Sequence, residues 1–456
     1  MAVLSRSEPS FSVDVFQNEY LAEGAREVNA IVTVTATGGG TTGGRPVSRD
    51  AAEGAGGAGG SGGAGGAQAA VVIMVDCSGS MDYPAEKLRN ARAATAVAVD
   101  TIRDGVAFAV VAGTHEATEV YPGGGKLAVA GEATRAQAKE ALRKLSAGGG
   151  TAIGTWLLKA RQLFASRPES TIRHGILLTD GRNEHEKPGG LEGALESAAG
   201  YFTVDCRGVG TDWQVAELRK IASALLGTVD IVAEPSGLAE DFRQMMEAAM
   251  GKQVADVSLR VWTPANAVVR YVKQVSPSLE DLTDHRSEAG PRAGDYPTGS
   301  WGDESRDYHV CVEVPSAEVG NEMLAARISL VLPRPDGSTE VLSQGLVRAV
   351  WTDDLASTTR ISPQVAHYTG QAELASSIQE GLEAHRAGDL DRATAKLGAA
   401  VRIAHRTGND STYKLLQKVV DVVDPKEGTV RFRKNVSEAD SMTLETRSTK
   451  TVRVKK

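Results

Sequence analysis

The sequence predicts an α/β fold in which a doubly wound, mostly parallel sheet is inserted into an antiparallel β-sandwich, followed by a small C-terminal helical unit. Three observations carry this. Apolar runs alternate with amphipathic helical stretches through residues 69–250, the order that builds βαβ units. The hydrophobic period falls to two through residues 251–360, as in half-buried strands. Residues 1–45 hold strand-like runs without a core of their own; the economical solution is that they return to complete the sandwich.

In residues 11–37, Val28, Ala30, Val32 and Val34 share one face of a strand, and Asn29, Ile31, Thr33 and Thr35 share the more polar face. Residues 46–68 read as a flexible glycine-rich linker. The stretch GAGGAGGSGGAGGA has nothing to bury, and no GK[ST] follows to make it a phosphate loop. The runs VVIMV, VAFAVVA, GILLT, YFTVDCRGV and VDIVA read as buried parallel strands. Between them, Leu88, Ala91, Thr95, Val99 and Ile102 form one helical face, and Val215, Leu218, Ala222 and Leu225 another. Asp212 and Ser236 stand where helix N-caps belong, and Gly227 just past a helix end.

The segments VSLRVW, AVVRYV, DYHVCVEV, RISLVL and EVLSQGLVRAVW are separated by Pro, Gly and Asp turns. They read as sandwich strands, with Trp262, Trp301 and Trp351 in the core or at its rim. Residues 361–425 predict a helical hairpin or cap, turning at AGDLD and stopping at Gly408. The pattern resembles a tetratricopeptide-like hairpin of at most one and a half repeats. Residues 426–456 lack periodicity and end in basic residues, so they read as a disordered tail.

Composition narrows the function. The 456 residues are 41% hydrophobic, enough for two or three domains. A net charge of −8 argues against a nucleic-acid partner. No apolar run has the length of a membrane span, and the N-terminal residues lack the apolar core of a signal peptide, so no membrane partner and a cytoplasmic location are expected. Cys77, Cys206 and Cys311 are three in number and not in CxxC spacing. They read as buried, reduced thiols. The eight histidines show no HExxH spacing, so zinc hydrolysis is not indicated.

One constellation carries chemistry. Asp76, Ser78 and Ser80 follow the first α/β strand directly, Thr151 follows the loop AGGG, and Asp180 ends the strand GILLT before Gly181. Ligands bind at the carboxyl edge of doubly wound sheets, so two carboxylates and three hydroxyls gather at one edge. Such oxygens suit a hard divalent cation, Mg2+ with Mn2+ or Ca2+ as alternatives. Two carboxylates only just balance the ion, which therefore welcomes a carboxylate from outside.

The order Asp76-x-Ser78-x-Ser80, then Thr151, then Asp180, resembles the metal-ion-dependent adhesion site (MIDAS) of the von Willebrand factor type A (VWA) family, and the likeness spans residues 69–250. The flanking sandwich is similar to that of intracellular and bacterial members. The resemblance implies a Rossmann-like VWA domain. It implies that Ser78, Ser80 and Thr151 touch the ion, with Asp76 and Asp180 touching it directly or through water.

Further residues stand on the same rim. Asp82, Glu184 and Glu186 read as solvated loop charges, and His185 as an exposed loop histidine. The tail residues Thr443, Thr446, Ser448, Thr449 and Thr451 are candidate substrates of a Ser/Thr kinase, to be read by a phosphothreonine-binding module. The first functional reading is a non-enzymatic scaffold, without catalytic residues, that docks a protein partner's carboxylate on the ion. The alternatives are a metal-dependent phosphoester hydrolase, for which Glu184 is the nameable base, and an adaptor for a AAA+ ATPase or a kinase–phosphatase system.

Overall fold

The structure, a computed structural model, describes residues 9–38, 68–334 and 336–454. Most of the glycine-rich stretch read as a linker, residues 46–67, lies outside the described residues. The chain divides into two units. One holds the described residues from 68 to 255 with Ser300–Gly302; the other holds those before 40, from 256 to 299, and beyond 302.

In the first unit, strands Val229–Val232, Thr203–Val209, Ser170–Thr179, Gln68–Asp76, Ala107–Gly113 and Ala117–Tyr121 lie side by side in that order. The first five are parallel and the last is antiparallel. From Gln68–Asp76 the chain steps to Ala107–Gly113 on one side and later returns to Ser170–Thr179 on the other. A switch in strand order opens a crevice at the carboxyl ends of the strands. Here those ends carry Asp76 and Asp180.

The central strand is apolar throughout because helices cover it on both faces. Val71, Ile73 and Val75 share a core with Leu88, Ala91, Ala98 and Val99 of helix Glu86–Thr101, and with Phe242, Met245 and Met246 of helix Leu238–Met250. Helix Ile153–Ala165 packs on the same central strands with a separate buried set, including Trp156, Leu157 and Leu163. The Trp156 indole donates to the Thr114 carbonyl at 2.7 Å. It fits because Gly113 has no side chain: a Cβ there would stand 2.3 Å from the ring.

Two expected caps are corrected. Helix Val215–Ala224 starts three residues after Asp212, with Gln214 at its cap, because Asp212 reaches Lys87 instead, at 3.3 Å. Ser236 lies inside the single turn Pro235–Gly237, and Gly237 precedes helix Leu238–Met250.

In the second unit, strand Glu27–Thr37 pairs antiparallel with Glu304–Glu313, Thr33 facing Asp307. The first strands thus complete a five-stranded sheet, and the α/β unit is inserted between them and their partner. A six-stranded sheet lies against it; Gly345 leaves room for Val13 and Val15 of the first. Trp351 is buried and Trp262 half-buried, while Trp301 is buried in the α/β unit beside Val254.

Helices Pro363–Arg386 and Leu390–Thr407 form the hairpin, and the second ends at Gly408 in the left-handed region, φ 66°. Leu374, Ile378, Leu397 and Val401 share one core with Leu416, Val430 and Leu444. For the described residues up to 454, that core corrects the reading of residues 426–456 as disordered. Strand Thr429–Phe432 pairs with Val420–Asp424, and helix Glu438–Arg447 buries Met442 and Leu444. Beyond it, Thr449 and Thr451 hydrogen-bond the backbone at Leu279 and Pro277. The segment shows no hydrophobic period because backbone hydrogen bonds and single apolar anchors hold it, rather than a long amphipathic stripe.

Candidate metal centre

Asp76 ends its strand fully buried. Its Oδ1 accepts from the Ser78 amide at 2.8 Å, and its Oδ2 accepts from the Thr179 hydroxyl at 2.6 Å. The first bond is an Asx-type turn, which turns the chain out of the sheet and brings both serines back over the strand end. Burial pushes the Asp76 carboxyl up to about 6, against the pull of its hydrogen bonds from Ser78 and Thr179. Cys77, between them, points into the core.

The Ser78 and Ser80 hydroxyl oxygens are 2.9 Å apart, and Ser80 donates to Asp180 Oδ1 at 2.7 Å. Gly181 joins Thr151 to this set: a Cβ there would lie 3.3 Å from Ser80 Oγ and 3.6 Å from Thr151 Oγ1. Both hydroxyls therefore line one cup, which glycine keeps open. All five residues named from the sequence meet around it. Asp76, Ser78, Thr151 and Asp180 are buried, and Ser80 is exposed.

The loops that deliver them are joined by backbone contacts. Gly148 donates to the Cys77 carbonyl at 2.8 Å, and Gly79 to the Gly149 carbonyl at 3.0 Å. On the other side, the Thr151 amide donates to His185 Nδ1, and the His185 amide to the Thr151 carbonyl. Helix Ile153–Ala165 has no side-chain cap from Ala152. Asn183 and Glu186 take that role, accepting from the Ile153 and Gly154 amides, each at 2.6 Å. His185 is exposed, as expected, yet its ring and amide hold Thr151, and half-buried Glu186 caps the helix rather than standing as a solvated loop charge. Asp82 and Glu184 are exposed and hold none of these contacts.

Three residues at the site escape sequence reasoning. Thr179 and Asn183 carry no signal beyond their polarity. Lys87 lies in the first turn of helix Glu86–Thr101, on a face otherwise apolar. Its ammonium sits 2.7 Å from Asp180 Oδ2. Burial alone would lower the Lys87 pKa, but Asp180 and Asp212 outweigh it and hold it above the ordinary value.

The donor chemistry fits a hard cation. The cup offers hydroxyl and carboxylate oxygen, with no thiolate or imidazole in the set. Among the described residues, no group of three or more His, Cys, Asp and Glu comes together as a metal site. The hydroxyl-rich cup differs from such sites in holding few formal charges.

Comparison with known proteins gives this geometry a family. A von Willebrand factor type A protein from Catenulispora acidiphila is 50% identical, with 99% of each chain covered and a TM-score of 0.89. The chain belongs to the von Willebrand factor type A family. The model of the von Willebrand factor type A domain matches this VWA chain at residues 69–231, and that of the von Willebrand factor type A C-terminal domain matches residues 402–448. The second match covers strand Thr429–Phe432 and all of the last helix, Glu438–Arg447.

The ArnB paralog VWA2 from Sulfolobus acidocaldarius shares the fold at 14% identity, over 96% of this chain and 98% of its own, with a TM-score of 0.58. The uncharacterized protein sll0103 of Synechocystis sp. is 31% identical over 217 residues, 46% of this chain. The VWA chain spans about half the length of that curated relative, 49%. Among the described residues, no helix is long and apolar enough to cross a membrane.

Proposed function

We propose that this VWA chain is a non-enzymatic, cytoplasmic protein-binding scaffold that captures a carboxylate of a partner protein through a divalent cation, Mg2+ in the first instance. The carrying observation is the position of the Ser80 hydroxyl, between Ser78 Oγ at 2.9 Å and Asp180 Oδ1 at 2.7 Å. Ser78, Ser80 and Thr151 would hold the ion with neutral oxygens, and Asp76 and Asp180 would supply the charge. When bound, the ion supplies an electrophilic position for an outside oxygen. Thr179 fixes the orientation of Asp76, Gly181 keeps the cup open, and His185 with Glu186 holds the Thr151 loop.

Glu184, the base that a hydrolase would need, is exposed on the rim, which favours recognition over turnover. A kinase acting on Thr446 or Ser448 would first have to detach the segment, since both are buried, whereas Thr443, Thr449 and Thr451 are half-buried.

Calorimetric titration with Mg2+ tests the reading. Wild type should bind and Asp180→Ala should not, with the circular dichroism spectrum retained. A magnesium-dependent pull-down read by mass spectrometry should then lose its partner with Asp180→Ala. Recovery of the same proteins by both forms overturns the proposal.

A further inference from the structure

The two oxygens of Asp180 do different work. Oδ1 faces the hydroxyl cup, accepting from Ser80 at 2.7 Å, and Oδ2 accepts from Lys87 Nζ at 2.7 Å. The carboxylate is fully buried, and the Lys87 side chain is only 10% exposed. The ammonium is therefore a fixed part of the site. Asp212, 71% exposed, holds the same ammonium from the solvent side at 3.3 Å.

We propose that Lys87 is a positioning residue that makes the cation weakly held and strongly attractive to an outside carboxylate. The inference rests on the metal-dependent reading above. It follows from charge arithmetic at the cup. Asp76 and Asp180 bring two negative charges, and Lys87 offsets one of them at close range, while Asp212 faces the ammonium from the solvent side, where water screens its charge. A divalent cation would then keep more of its positive charge than two free carboxylates would leave it. Its affinity falls by the repulsion from the ammonium, and its attraction for an incoming anion rises by the same cause. The lysine also commits Oδ2, so Asp180 presents a single oxygen to the cup. The two effects are opposite in sign for ion and ligand, which a merely structural lysine would not produce.

The experiment uses the full chain with Mn2+ as the ion and acetate as the outside carboxylate, read by water-proton relaxation enhancement at pH 7.5. Lys87→Met removes charge and hydrogen bond; Lys87→Gln keeps a donor for Asp180 without the charge. Circular dichroism and thermal midpoints in EDTA establish which variants fold. Each folded variant should bind Mn2+ roughly tenfold more tightly than wild type, on the scale of a nearby unit charge removed. Each should also need several-fold more acetate to displace metal-bound water. Lys87→Arg should stay near wild type on both readings. Unchanged or weaker Mn2+ binding in Lys87→Met and Lys87→Gln overturns the proposal, as does an unmoved acetate midpoint. If neither charge-free variant folds, Asp212→Asn, at the exposed partner of the same ammonium, keeps the test: it should bind Mn2+ several-fold more weakly and need less acetate than wild type, and unchanged readings overturn the proposal. Failure of wild type to bind Mn2+ at all sinks the metal-dependent reading itself, a distinguishable result.

Discussion

Arg453 grips Asp307 from 146 positions away in sequence, Nε to Oδ2 at 2.9 Å and Nη2 to Oδ1 at 2.7 Å. Thr33 and Tyr368 donate to the same carboxylate. One buried aspartate of the sandwich thus ties together an N-terminal strand, the first helix of the hairpin and the C-terminal segment. Burial works against the charged form of Asp307, but Arg453 and the two hydroxyls outweigh it and hold the carboxyl below its usual range.

Arg453→Ala should therefore loosen the C-terminal segment. It leaves a nearly buried carboxylate without its bidentate partner. Because the Arg453 side chain is 44% exposed, the cost is below that of a fully buried pair, about 1–2 kcal/mol. Urea unfolding should show the loss, with faster amide exchange near Leu444. Unaltered stability and exchange would show that the clamp contributes nothing.

The fold should weaken in mild acid through His309. Burial, helped by Lys273, lowers this histidine from 6.5 to about 4, and its Nε2 donates to Asn29 Oδ1 at 2.9 Å. The unfolded chain binds the proton more readily than the folded one. The neutral form carries no penalty above pH 6.5, and stability is lost as pH falls from there toward 4, by about 3 kcal/mol at the limit. Subtracting the stability of His309→Gln from that of wild type across this window should reveal the slope. A flat difference would refute the assignment.

Thr179→Val removes the hydroxyl that orients Asp76 while leaving every ligand in place. Groups that support metal ligands typically contribute 10–100-fold in affinity, so Mg2+ binding should weaken roughly tenfold with the fold intact. Calorimetry with equal affinities for the two proteins would remove Thr179 from the site.

Gly113→Ala should destabilise the α/β unit by about 1–3 kcal/mol, the scale of overpacking a closed core. The added methyl collides with the Trp156 ring. Thermal unfolding reports the loss, and a midpoint equal to wild type would mean that the indole has another place to go.

Much of the site was legible from residue types. Asp76, Ser78 and Ser80 stand directly after an apolar run, and Thr151 and Asp180 occupy matching strand ends, so strand topology alone brings them to one edge. Lys87 was not legible. It lies 93 positions from Asp180, and a lysine in the first turn of a helix reads as solvated. Asp212 was misread for the complementary reason: its local role as a cap loses to a charge supplied by a distant helix. The C-terminal residues misled because their order comes from anchors such as Thr451 on Val275 and Arg453 on Asp307, neither visible as a local pattern.

By itself the sequence determined the alternation of strands and helices, the return of the first strands to the sandwich, and the five oxygen-bearing side chains at the switch point. These follow from periodicity and strand order, which are written along the chain. The tertiary structure alone decided that Asp180 divides its oxygens between the cup and Lys87, and that Arg453 is clamped to Asp307. Both depend on which distant charges are desolvated together, and burial in common is a property of the packed molecule rather than of any segment.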